Sequence, residues 1–170
     1  MTRDLLASHE PAIVALDAPA SWAPPGRRSR PCEVTFARQG ICRIRYAPDR
    51  ATADARGDGY DAWIEHGLEL WEALRERELE VVECFPTASW TQWAGPRAGQ
   101  SRTAWTLQAL ADLAARGLEA VERATNQDRR DAVAAALTAR QSTRHPMLVF
   151  GPLVVPHAGS DPLASSRGPS

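Results

Sequence analysis

Lysine is missing from this chain, and all 20 of its basic residues are arginine. Together with the abundance of alanine, this reads as the codon bias of a GC-rich genome. Single arginines, including the cluster Arg27-Arg28-Ser29-Arg30, therefore carry less weight than they would elsewhere. Acidic and basic residues nearly cancel, leaving a formal charge of −1 and no global positive field that would advertise nucleic acid. Long hydrophobic runs are also missing. None approaches the ~20 apolar residues that span a bilayer. The start, MTRDLLASHEP, has neither the basic region nor the apolar core of a secretory signal. The expectation is a cytoplasmic protein with no membrane partner. Cys32, Cys42 and Cys84 are odd in number, widely spaced and never in a CxxC pair, which argues against a disulfide framework and a zinc site. His9, His66, His145 and His157 are scattered without ligand spacing. No phosphate-binding glycine loop is present, and Ser21, Ser89 and Ser101 lack the G-x-S-x-G setting of a hydrolase nucleophile.

What is present suits one globular domain. The chain has 170 residues, of which 44% are hydrophobic, enough to bury a core. We expect a single domain over residues 1–156 and a disordered tail over 157–170, HAGSDPLASSRGPS. Residues 2–10 read as the end of a helix. Ala12 to Leu16 is an apolar run without alternation, as in a strand covered on both faces, and it ends on Asp17 before Ala18-Pro19. Residues 21–31 read as a loop. Residues 32–40 fit either a strand or a short helix closed by Gly40, and Ile41 to Tyr46 alternates like extended chain. A polar loop over 49–60 leads to a helix capped by Asp61, with Ile64, Leu68, Trp71 and Leu74 on one face. A second strand occupies about 79–85, and a short helical turn follows Pro86. A helix to about Arg116 should turn Leu107, Leu110, Leu113 and Ala114 inward. The last helix, about 127–141, carries the small stripe Ala132, Ala135, Ala136 and Ala139, and residues 147–156 are extended with a Gly-Pro break. Helices alternating with buried strands give an α/β fold with a largely parallel sheet.

Asp17 and Glu83 lie near the carboxyl ends of the two strands, where open α/β sheets place their ligands. Asp128 and Asp131 share a face at the start of the last helix. Crowded carboxylates stay ionised only beside a cation, and such an oxygen cluster selects Mg²⁺ or Mn²⁺, which can drive phosphodiester hydrolysis. Plainer readings stand beside this one. Asp17 can bond its own turn, Asp128 can simply suit a helix dipole, and Glu83 can face solvent from an edge strand. Trp90, Trp93 and Trp105 can stack on bases, but at these spacings they fit better as packing anchors.

IVALDAP, GRRSRPCE, GICRIRYAP, the W-x-x-x-G-x-x-L-W pattern at 63–71, VVECFPTASW and QDRRDAVAAALTAR follow one another in an order that resembles domain of unknown function 429. That family is a group of predicted nucleases with an RNase H-like, three-layer α/β fold, and the resemblance covers roughly residues 11–156. It implies that Asp17, Glu83 and Asp131 are the catalytic and metal-holding acids, with Asp128 as an auxiliary ligand or a helix cap. It implies Mg²⁺ or Mn²⁺ as cofactor and nucleic acid as a partner. It also implies a basic residue and a glycine in the loop GPRAGQSRT, places that Arg97, Gly99 and Arg102 fill only loosely. RNase H-like folds open with a three-stranded meander whose first strand supplies an aspartate. Only residues 1–10 precede Pro11, so the expectation is that the meander is missing or truncated and the metal site incomplete. One edge of the Asp17 strand would then be uncovered, which invites self-pairing or another partner. The alternative to a metal-dependent nuclease is a non-catalytic binding or scaffold module that keeps the fold.

Overall fold

The structure is a computed structural model, described here for residues 11–57 and 59–164. The helix expected over residues 2–10 lies outside these residues, as does the tail from 165 onward. A four-stranded sheet forms the centre, built from β1 (Ile13–Leu16), β2 (Glu80–Cys84), β3 (Leu148–Phe150) and β4 (Leu153–Val155). Its order is β1-β2-β4-β3. β1 runs parallel to β2 with Leu16 opposite Glu83, and β2 runs parallel to β4. Only β3 is antiparallel, folded onto β4 across Gly151-Pro152, the Gly-Pro break of the sequence. The fold is a three-layer α/β arrangement with a mostly parallel sheet. Among the described residues no strand pairs with the other edge of β1.

Among the described residues six helices surround the sheet: α1 (Pro31–Arg38), α2 (Arg50–Arg56), α3 (Ala62–Arg75), α4 (Pro86–Ala94), α5 (Arg102–Ala115) and α6 (Gln127–Ser142). The helical alternative for 32–40 is the one the chain takes. Its Phe36 packs edge-on against Phe85 and Phe150, in a cluster completed by Ala88, Leu153 and Val155. The larger cluster joins Trp90, Trp105, Leu110, Leu113, Ala134 and Leu137, where α4, α5 and α6 meet. Trp90 and Trp105 are therefore packing anchors, as the plainer reading held.

Several local expectations are corrected. Ile41 to Tyr46, expected to be extended, pairs with no strand: Ile41, Cys42 and Ile44 pack on the Phe36 cluster. Part of the expected polar loop 49–60 is α2, a helix with no buried residue, started by the Asp49 carboxylate accepting from Thr52 N–H. Asp61 does not cap α3 through its side chain, which instead accepts from Arg56 at 2.8 Å. In α5 the buried face runs through Trp105, Ala109, Leu110 and Leu113, so Leu107 falls on the far side and is exposed. In α6, Ala134, Ala135 and Ala139 are buried, while Ala132 and Ala136 face solvent. Residues 157–164 do not hang free: the Gly159 amide donates to Gln92 O and the Arg140 guanidinium donates to Pro162 O.

Candidate functional site

The proline at position 19 ends β1, and the bend it forces presents Asp17 at the carboxyl end of the strand. Three contacts fix that bend. Gly67 of α3 faces Ala18 so closely that a Cβ built on the glycine would lie 2.5 Å from the Ala18 Cβ. One turn on, the Trp71 indole N–H donates to the Ala18 carbonyl at 3.2 Å. The Ala20 amide donates to Glu83 Oε2 at 2.9 Å. The W-x-x-x-G-x-x-L-W pattern thus seats a helix on the Asp17 turn.

Glu83, in turn, is gripped by Arg30. The guanidinium donates from Nη1 to Oε2 at 2.7 Å and from Nη2 to Oε1 at 2.5 Å, a two-pronged pairing that a planar fork makes well. Its Nε donates to Glu33 Oε1 at 2.9 Å, and Glu33 also accepts from the amides of Arg30 and Ala47. All three side chains are at least 95% buried. Burial works against the Arg30 charge, yet the hydrogen bond and charge of Glu83 and the charge of Glu33 outweigh it and hold the guanidinium firmly protonated. This network ties the loop before α1 to the second strand.

Asp131 turns inward from the second turn of α6, accepting from Arg102 Nη2 at 2.8 Å and from Gln127 Nε2 at 2.9 Å. Asp128, one turn earlier, is exposed. Asp17 has solvent on one side and protein crowding on the other. Desolvation, then the charge of Asp131, push its pKa up to about 7 from an ordinary 3.8; Arg102 pulls against them and Glu83 adds a further upward push. Cys84 lies buried beneath the same acids, and burial first, then the charges of Asp17, Glu83 and Asp131, drive its thiol well above the usual range. The structure therefore brings Asp17, Glu83 and Asp131 into one electrostatic neighbourhood and leaves Asp128 outside it. Within that neighbourhood, Arg30 engages both Glu83 oxygens and Arg102 engages Asp131. Among the described residues, no three His, Cys, Asp or Glu side chains are grouped closely enough to hold a metal ion.

Beside Asp17 opens a cleft of about 990 Å³. Arg102 stands at one wall and the non-strand segment Cys42 to Tyr46 forms another, with Trp63, Phe85 and Thr87 completing it. Arg43, Arg45 and Arg102 make the cleft basic although the whole chain is nearly neutral. Arg102 is one of the residues that the resemblance offered loosely for the loop GPRAGQSRT, whereas the arginine richness concealed Arg30, Arg43 and Arg45. The alternation of ICRIRY was the one signal available, since it separated Arg43 and Arg45 from their apolar neighbours.

Comparison with curated proteins and with solved structures found no match. One family model does match, and it covers residues 1–151, including β1, β2, α6 and every carboxylate of the site. The chain belongs to the DUF429 family, described as proteins of unknown function.

Proposed function

We propose that the protein is a phosphodiesterase of the nuclease type, acting with Mg²⁺ or Mn²⁺ at Asp17 and Asp131. The observation that carries this reading is a cleft lined by Asp17 and by Arg102, whose guanidinium bonds the buried Asp131 at 2.8 Å. Mg²⁺ is commonly held by one or two carboxylates with water and substrate phosphate completing its shell, so a closed cage of acids is not required. The donor set fits on that count: Asp17 and Asp131 supply hard oxygens, and Arg102 lies where a cation is wanted. Bound there, the metal would lower the pKa of water and neutralise charge at the scissile phosphate. Arg102 and Arg43 would hold the phosphate oxygens, with Arg102 exchanging Asp131 for the incoming anion. Glu83 would act through position: gripped by Arg30, it holds the 17–20 turn through the Ala20 amide. Asp128 remains an outer contributor at the helix start.

A second reading, a binding or scaffold module without catalysis, is favoured by the arginine pairing itself. Glu83 and Asp131 are already neutralised by Arg30 and Arg102. Calorimetric titration with Mn²⁺, on the wild type and on Asp17→Asn, separates the two. Micromolar binding that the substitution removes, with Mn²⁺-dependent cleavage of bis-p-nitrophenyl phosphate that Asp131→Asn abolishes, is the expected result. Absence of both heat and cleavage would leave the binding module.

A further inference from the structure

We infer that the cleft takes a single-stranded nucleic acid segment, with a base stacked on Tyr46 against the Trp63 side and the adjoining phosphates on Arg43 and Arg102. This deepens the phosphodiesterase reading and rests on the same cleft. The inference starts from what the segment Cys42 to Tyr46 does. It makes no ladder, so its alternation serves another end: Ile44 and Cys42 anchor it to the core, while Arg43, Arg45 and Tyr46 are turned out. Tyr46 is 44% exposed, lines the cleft, and is engaged by no ring or cation among the described residues. Its ring face is therefore open to a planar partner entering the cleft.

Next to Tyr46 on the same segment, planar groups already stack. The Arg45 guanidinium lies 3.9 Å from the Tyr60 ring centroid and 5.0 Å from that of Trp63. Arg45 is anchored there by Asp61 and the Tyr60 carbonyl. Trp63 lines the cleft as well, its ring already covered in part by Arg45. Arg43 has no hydrogen-bond or ion-pair partner among the described residues, leaving it to meet an anion. Aromatic faces alternating with arginines along an open groove are the pattern that binds single strands, where bases stack and phosphates track the positive wall. A duplex hides its base faces inside the stack and would leave the Tyr46 face without a stacking partner.

The test is fluorescence anisotropy of a labelled oligo-dT of ~12 nucleotides, within the usual site size of such grooves, in EDTA with no divalent metal. We expect binding in EDTA, about tenfold loss on Tyr46→Ala, and a salt dependence that falls by about 0.7 in slope on Arg43→Gln. Both residues are exposed, so both variants should fold, which circular dichroism checks. Binding of a matching duplex as tightly as the single strand would overturn the inference, as would unchanged affinity in Tyr46→Ala or binding of a free mononucleotide as tight as that of the oligomer. Because no metal is present, the result is independent of catalysis. Oligomer binding without Mn²⁺-dependent cleavage would remove the enzyme reading and keep this one. Cleavage without single-strand preference would do the reverse.

Discussion

Arg30 carries the heaviest electrostatic duty of any single residue, since two buried glutamates depend on it. Truncating one member of such a buried network leaves charge without a partner, and Arg30→Ala should cost about 3–5 kcal/mol in a urea unfolding series. Arg30→Lys should lose most of that as well, because an ammonium does not reproduce a fork that serves Glu83 twice and Glu33 once. Asp17 presents the opposite case. Its pKa is raised, so the folded protein holds a proton that the unfolded chain releases above an ordinary value of 3.8. Asp17 binds more protons in the folded state through that window, so its contribution to stability falls as pH rises from about 3.8 to about 7. Asp17→Asn should flatten this slope and raise the thermal midpoint at pH 7, and a divalent cation should pull the Asp17 titration, followed by NMR, back down.

At the scale of elements, the pieces with a buried face were readable and the pieces without one were not. α3 announced itself through Ile64, Trp71 and Leu74, all nearly inaccessible, and the two parallel strands through apolar runs ended by proline. α2 has no buried side chain, so hydrophobic periodicity carries no trace of it. It is stabilised by the Asp49 cap and by Arg50 pairing with Asp54 and Glu65. The candidate acids were readable because strand ends and helix starts are marked locally. Their arginine partners were not, because Arg30 meets Glu83 across 53 residues and no local pattern records that. The contact between α3 and the Asp17 turn gives a prediction of its own. Gly67→Ala improves helix propensity by up to about 1 kcal/mol but forces its methyl onto Ala18, an overlap that costs about 1–3 kcal/mol. A net loss in denaturant stability, with a displaced Asp17 carboxyl resonance, is the expected outcome.

For the molecule as a whole, the Asp17 strand is one of two edge strands of the sheet among the described residues. β2 and β4 each have strands on both sides, whereas β1 is paired among the described residues on the β2 side alone. Hydrogen exchange should therefore be slowest in β2 and β4 and faster in β1. The Arg30–Glu83 clamp has one further consequence, which concerns rates. It joins residues 53 apart in the chain, and we expect so long a loop closure to come late in folding. Interactions absent from the transition state act on the unfolding limb. Removing Arg30 should leave the refolding arm of a chevron nearly unchanged and steepen the loss of native protein with time, so this buried arginine governs how long the fold lasts once formed.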